Sequence, residues 1–213
     1  MKVAQYLLQR TTELNQHQQT FHRLFYFLED QELMFIPEGE SWAAIECIEH
    51  LNFVFEHYLP QLKAISISDA SSRKQTEISL NKLSILIRKF MTNNMGLGQR
   101  SIHAARKLKP RRLQKNGHKF SPQKAMENFI DDLDDLKKII SIIVSSTTLS
   151  NIKVNTTRPF LKIRSVTAIE YLIPHIGRHL SQAERILNGG SLAREQQSNN
   201  PDLIYPTSAE KIA

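Results

Sequence analysis

Cysteine is almost absent from this chain of 213 residues, and Cys47 is the only one. A single cysteine excludes an internal disulfide and a zinc site built from several thiolates. Glycine and proline are also scarce, with 7 and 8 residues, so we do not expect an architecture rich in β-turns. These absences favour a helical protein of a reducing compartment, and we predict a cytoplasmic location.

Long apolar runs are missing as well. The best ones, residues 139–144 and 83–87, fall far short of the roughly 18 apolar residues that a membrane span requires. At the N-terminus, residues 1–6 reach polar side chains before the core of a signal peptide develops. We therefore expect no membrane partner.

Acidic residues are missing from positions 78–126, which we call the basic segment. It holds 12 of the chain's 28 Lys and Arg and none of its 21 Asp and Glu, so the formal net charge of +7 comes entirely from it. Such a segment could bind a polyanion. Its densest part, residues 100–115, contains no aromatic residue on which a base could stack. We expect packing against the acidic residues between 131 and 135, and no dedicated nucleic-acid surface.

The chain contains four stretches with the apolar spacing of long amphipathic helices. The first covers about residues 2–28. The second covers about residues 42–62, with Ser41 as its expected N-cap. Glu49 and Glu56, seven residues apart, are expected to mark the solvent face of this second helix.

Two further long helices follow the basic segment. The third begins at Ser121, an expected N-cap, followed by Pro122 at the first helical position. Apolar residues then recur at alternating steps of three and four. The fourth helix is expected to begin near Thr167, which could form a capping box with Glu170. An Asn-Gly-Gly sequence at 188–190 is expected to end it.

These four helices predict an all-α fold with the architecture of a four-helix bundle. The link between the second and third helices, about residues 66–120, is long enough for a crossover, so those two helices could run parallel. Within this link, residues 78–90 are expected to be helical. We place the bundle at residues 1–190 and expect the polar residues 191–213 to form a loosely ordered tail.

Three histidines could form a metal site. His175 and His179 are four residues apart on the fourth helix, so one helical turn places both rings on the same side. With His50 of the second helix, they would supply three ligands and leave open coordination positions. The alternative is that they are hydrogen-bonded core histidines. Pro174 removes the backbone hydrogen bond to the Glu170 carbonyl, and a kink beside His175 could open a cavity.

Two motifs in these helices resemble signatures of the DinB-like damage-inducible superfamily. They are Trp42-x-x-x-Glu46-x-x-x-His50-Leu51 in the second helix and His175-x-x-Arg178-His179-x-x-Gln182 in the fourth. The similarity covers about residues 1–188. It implies an up-down-down-up four-helix bundle with a long crossover between helices two and three, often as a homodimer.

The resemblance also implies a divalent metal ion, nickel or zinc, held by His50, His175 and His179. Three nitrogen ligands would also suit iron. Glu46 and Gln182 are expected to support these ligands from outside. Their alternative interpretations are an exposed acid and an amide on the helix surface.

Relatives in this family include bacillithiol S-transferase, so the resemblance implies a metal-dependent enzyme. A divalent ion could activate a low-molecular-weight thiol for transfer to an electrophilic substrate. Two alternatives remain open: a non-catalytic metal-binding stress protein, and a polyanion or nucleic-acid binder that uses the basic segment. We expect Arg178 to form a structural ion pair. Cys47 is interpreted as a small buried residue, neither a nucleophile nor a ligand.

Overall fold

The computed structural model describes residues 1–68, 74–93, 108–110 and 120–199. This part of the chain is mostly helical, as the all-α prediction requires. The helices in it are α1 (Val3–Phe25), α2 (Asp30–Met34), α3 (Ala44–Ser66), α4 (Lys82–Asn93), α5 (Pro122–Val144), α6 (Thr147–Asn151) and α7 (Ser165–Asn199). One small antiparallel sheet pairs β1 (Lys153–Asn155) with β2 (Lys162–Arg164).

The four long helices α1, α3, α5 and α7 share one hydrophobic core. Both α1 and α3 pack against α5 and α7, and α4 packs against α7. The apolar residues of α5 recur every three or four positions, so they lie along one face of the helix. The buried ones include Phe129, Leu133, Leu136, Ile140 and Ile143. The apolar spacing predicted for this helix is therefore confirmed.

The start of α5 is also as the sequence predicts, but the start of α3 is not. Ser121 caps α5, because its Oγ accepts a hydrogen bond from the Lys124 backbone N–H at 3.3 Å. The N-cap of α3 is Ala43 and not Ser41. Here the Glu46 carboxylate accepts a hydrogen bond from the Ala43 backbone N–H at 2.8 Å, so an acidic side chain replaces the expected hydroxyl.

The two glutamates expected on the solvent face of α3 have different surroundings. Glu56 is exposed, whereas Glu49 is only 4% exposed, so the prediction for Glu49 is wrong. Residues seven apart on a helix point in nearly the same direction, so helix rotation cannot explain the difference. Residues 43–52 are all buried, which shows that the N-terminal half of α3 is covered on every side.

The helix α7 is longer than predicted at both ends, because it starts earlier and stops later in the sequence. The helix begins at Ser165, so the expected capping box is wrong; the Thr167 hydroxyl instead lies 2.7 Å from that of Ser84 in α4. The Asn-Gly-Gly stop is wrong as well, because α7 continues well beyond Gly189. This glycine does not adopt the positive φ that ends a helix, so it weakens α7 by roughly 1 kcal/mol without terminating it.

The small sheet is a feature that the sequence pattern did not predict. Val154 and Ile163 lie opposite each other and are both buried, while the neighbouring strand residues are more exposed. Each strand has three residues, which is too short for an alternating pattern to stand out. The sheet packs against α3 and α7.

The basic segment is only partly described. Its helix α4 overlaps the predicted helical residues, and Arg88 on it forms an ion pair with Glu13 of α1 at 2.6 Å. Asp134 forms an ion pair with Lys137 of its own helix. The described contacts therefore do not show the expected packing against the acidic residues of α5. The predictions for the basic positions at 94–107 and 111–119 and for the tail at 200–213 fall outside the described residues. Residues 191–199 of the predicted tail belong to α7.

The helices show no candidate membrane span within the described residues: each is too short or too polar to cross a bilayer. The division into a bundle and a tail stays a prediction. The helices that matter for the site are α3 and α7, whose contact brings together side chains far apart in the sequence.

Candidate metal centre

His50 of α3 meets His175 and His179 of α7 where these two helices pack. One ring nitrogen from each histidine lies within 4.8 Å of those from the other two. All three side chains are buried, with exposed fractions of 4% for His50 and 7% for each of the others. The three histidines singled out from the sequence therefore form one group that could hold a metal ion.

The spacing of the ring nitrogens fits a shared ion. His50 Nε2 lies 3.2 Å from His175 Nε2. Two nitrogens that each bind a tetrahedral zinc ion at about 2.1 Å would lie about 3.4 Å apart, close to this distance. The His179 ring centroid is 4.4 Å from that of His50 and 4.6 Å from that of His175, so the third ring lies equally close to both.

A backbone carbonyl sets the tautomer of His50. Its Nδ1 donates a hydrogen bond to the Leu108 carbonyl oxygen, with 2.6 Å between the two atoms. The proton is thereby placed on Nδ1, and the lone pair of Nε2 is directed toward His175 Nε2, from which it can accept a hydrogen bond. Metal-binding histidines commonly have this arrangement, with one nitrogen on the ion and the other donating to a carbonyl or carboxylate.

All three imidazoles are held in the neutral form. Burial lowers the pKa of His50 and lowers those of His175 and His179 well below the usual value, because the interior disfavours the charged ring. For His175 and His179, the proximity of the other histidines and of Arg178 lowers the pKa further. Since metal ions bind neutral imidazole, no ligand has to lose a proton at neutral pH.

Two aromatic side chains pack against the three imidazoles. The Trp42 ring lies 6.2 Å from that of His179, nearly parallel to it at 14°, and 5.4 Å from that of His50. The Tyr171 ring stacks on His175 at 4.9 Å. These contacts restrict rotation of the imidazoles and surround them with apolar surface.

The two residues expected to support the ligands lie in different places. The recorded hydrogen bond of Glu46 is to the backbone of Ala43 at the start of α3, and its side chain is only 1% exposed, so the alternative of an exposed acid is wrong. Gln182 follows His179 by one helical turn. Its side chain is close enough to oppose slightly the lowering of the His179 pKa. A supporting role for either residue stays a prediction.

The surroundings of Cys47 agree with its predicted role, whereas those of Arg178 do not. Cys47 is fully buried, and burial raises the pKa of its thiol, as expected for a small structural residue and not for a nucleophile. Arg178 was expected to form an ion pair, and none is present within the described residues. It is 7% exposed, its Nη1 has no hydrogen-bond partner there, and burial lowers its pKa.

Three neighbours of the histidines had no predicted role: Trp42, Leu108 and Tyr171. Trp42 belonged to a recognised motif, and Tyr171 precedes His175 by one helical turn, so the spacing could have indicated both. Leu108 could not have been found, because it acts through a carbonyl that every residue possesses.

The fold and the three buried histidines together define a mostly helical protein with a candidate metal centre between α3 and α7. A family model described as the DinB superfamily matches residues 13–183, and the chain belongs to this superfamily. The matched range contains all three histidines, and the resemblance inferred from the two motifs is confirmed. No curated protein and no solved structure gave a match.

Proposed function

We propose that His50, His175 and His179 bind one divalent metal ion. The observation that carries this proposal is the convergence of three buried, neutral imidazoles whose ring nitrogens lie within 4.8 Å of one another. His175 Nε2 lies within hydrogen-bond distance of His50 Nε2, whereas Nδ1 of His175 and of His179 has no hydrogen-bond partner among the described residues.

The proposal extends to the arrangement of the helices and to the choice of ion. Since α1 and α3 each pack against both α5 and α7, the contacts support a four-helix bundle, and we propose for it the up-down-down-up order that the family resemblance implies. Three imidazole ligands suit zinc, nickel or iron and leave coordination positions open for a further ligand. The predicted homodimer and cytoplasmic location stay predictions.

We further propose that the site activates a low-molecular-weight thiol for transfer to an electrophile. When bound, a divalent ion would lower the pKa of a thiol that approaches it, so that the thiolate is available near neutral pH. The chain's only cysteine is buried and protonated, so the sulfur must come from a small molecule. The S–H proton leaves to solvent, and the thiolate adds to an electrophile that contains an activated carbon–carbon double bond. A sulfur–carbon bond forms, the π bond of the double bond breaks, and the neighbouring carbon takes up a proton from solvent.

The chain's own residues prepare the site for this reaction. The Leu108 carbonyl holds the His50 ring in one tautomer, and Trp42 and Tyr171 restrict the imidazoles and cover them with apolar surface. A site with few competing waters strengthens electrostatic interactions with an incoming thiolate.

The first experiment measures metal content and affinity. Each of His50→Ala, His175→Ala and His179→Ala should lose more affinity in a chelator competition than the roughly 10–100-fold typical of residues that merely support a ligand. His22→Ala is the matched control, because His22 is exposed and lies outside the cluster. Unchanged occupancy in all three variants would remove the metal site from consideration.

The second experiment measures turnover. A panel of small thiols and a reactive electrophile should react faster with metal-loaded protein than with protein treated with a chelator. Cys47→Ala should retain this activity, and His179→Ala should lose it. Metal binding without any acceleration would favour the non-catalytic stress protein. Binding of DNA or RNA that weakens steeply with salt and ignores the metal would favour the polyanion binder.

A further inference from the structure

Arg178 is a buried cation that lacks an acidic partner in the described part of the chain. Its side chain is 7% exposed, and its Nη1 is buried without a hydrogen-bond partner. Arg10, which is buried to the same extent, donates to the Glu170 carboxylate at 2.7 Å. A guanidinium group cannot lose its charge under ordinary conditions, so burying one without an anion is costly.

The position of Arg178 places this unpaired charge beside the three histidines. It follows His175 by three residues on α7 and directly precedes His179, and residues three apart are neighbours on a helix surface. After burial, its positive charge contributes to the lowered pKa values of all three imidazoles, and it opposes the rise that burial causes in the pKa of the Tyr171 hydroxyl. The charge therefore reaches every member of the candidate centre.

We propose that Arg178 binds a carboxylate group of the ligand that enters beside the three histidines. The inference rests on the proposed function and specifies its substrate class: the thiol or the electrophile carries an acid group. The parallel N–H groups of a guanidinium match the two oxygens of a carboxylate. Such a ligand gives Nη1 its missing partner and neutralises the buried charge.

The electrostatics of the site favour an anion over a neutral ligand. A positive charge close to a bound dication is unfavourable in a poorly hydrated interior, and the recorded neighbours of Arg178 offer no negative charge to offset it. A carboxylate between them would offset the repulsion. A purely structural side chain at this position would not need to be charged, because a methionine could fill a similar volume.

The test compares two small thiols that differ in one group, 3-mercaptopropionate and the neutral 2-mercaptoethanol. Calorimetry with zinc-loaded protein should show at least tenfold tighter binding of the acid. Arg178→Met should abolish this preference, and Arg178→Lys, which keeps the charge but not the two parallel donors, should restore part of it. Acrylate and acrylamide form the corresponding pair for the electrophile, so the pair that shows the preference identifies which substrate carries the acid.

A binding experiment without metal separates this inference from the metal proposal. Propionate contains no thiol, and its binding to the full chain without added metal should be measurable for the wild type and lost in Arg178→Met. This result would stand even if no metal bound. Metal content and the unfolding midpoint of Arg178→Met should not fall, because no ion pair is broken. Equal binding of the acid and neutral members in both pairs, or a less stable Arg178→Met, would overturn the assignment.

Discussion

The helix α7 carries two buried charged side chains, Glu170 and Arg178, and their surroundings are opposite in character. Glu170 is fully buried and accepts hydrogen bonds from the Tyr6 hydroxyl at 2.6 Å and from Arg10 Nε at 2.7 Å. Arg88 of α4 approaches the same carboxylate at 3.5 Å. Around Arg178, the described residues supply no acidic partner.

The comparison separates two uses of buried charge on one helix. The Glu170 network joins α1, α4 and α7, and every charge in it has a partner of opposite sign nearby. Such a network fixes the relative positions of helices. The region around Arg178 contains three neutral imidazoles, two aromatic rings and one cation without an acidic partner in the described residues. We therefore assign the paired charges a structural role and the unpaired cation to the proposed ligand site.

The largest expected effect tests the paired side of the comparison. Glu170→Gln would leave the guanidinium groups of Arg10 and Arg88 without their carboxylate, and we expect it to lower the free energy of unfolding by about 3–5 kcal/mol. Urea denaturation measures this loss. The control is Glu184→Gln, which breaks an exposed ion pair with Arg23 and should cost about 0–1 kcal/mol. Equal effects of the two substitutions would contradict a structural role for the network.

A smaller effect is expected at the edge of the candidate metal centre. Trp42→Ala removes the ring that packs on His50 and His179, so these imidazoles gain rotational freedom and water. We expect metal affinity to fall by roughly 10–100-fold, as for other residues that orient ligands. Trp42→Phe keeps much of the contact and should lose less. A chelator competition in which both variants match the wild type would show that the ring does not orient the ligands.

Asp132 shows that a partly buried acidic group without a cationic partner among the described residues need not mark a binding site. Burial, and then the nearby acids Asp135, Glu56 and Asp131, raise the pKa of Asp132 to about 7. A carboxyl can avoid an unfavourable charge by keeping its proton, whereas a guanidinium cannot. Asp132 therefore needs no ligand. The free-energy cost of ionising its buried carboxyl appears as a dependence of the protein's stability on pH.

The sign of this dependence follows from the raised pKa. The folded state keeps the Asp132 proton to a higher pH than the unfolded state, so stability falls as the pH rises through about 7. Asp132→Asn should raise the free energy of unfolding by about 1–2 kcal/mol at pH 8 and leave it nearly unchanged at pH 4, after allowance for solvent screening. Urea titrations at both pH values test this. A gain at pH 4 that equals the gain at pH 8 would exclude ionisation as the cause.

The smallest effect is expected for a buried group that carries no charge. Cys47→Ala removes a fully buried sulfur and should cost about 1 kcal/mol of stability. Metal content should stay the same, because Cys47 is not in the group of potential ligands found in the described residues. A loss of metal in this variant would instead make Cys47 a ligand.

Features that depend on local periodicity could be predicted from the sequence. The apolar spacing of α5 and its Ser121 cap involve residues within a few positions of one another, and both are present in the structure. The pair His175 and His179 is local in the same sense. His50 was added because it lies in a second apolar helix, and the family resemblance then implied the same residue; no spacing rule relates residues 125 positions apart.

Features that depend on distant packing could not be predicted. Glu49 and Glu56 have the same helical direction but different burial, because different neighbours cover the two halves of α3. Gly189 remains helical although an Asn-Gly-Gly sequence often ends a helix. The missing partner of Arg178 is likewise a property of the folded surroundings. Sequence alone favoured an ion pair, which is the commonest way to bury a charge.

The hydrogen bond from His50 to the Leu108 carbonyl has a consequence for how the site tolerates substitution. The accepting oxygen belongs to the main chain, so exchanging the Leu108 side chain does not delete it. Point changes at this position would leave the proton on Nδ1, and only a shift in the path of the backbone would release it. A protein engineer who wished to invert the tautomer would therefore have to insert or remove residues near position 108. The tautomer of His50 should therefore survive most single substitutions at position 108.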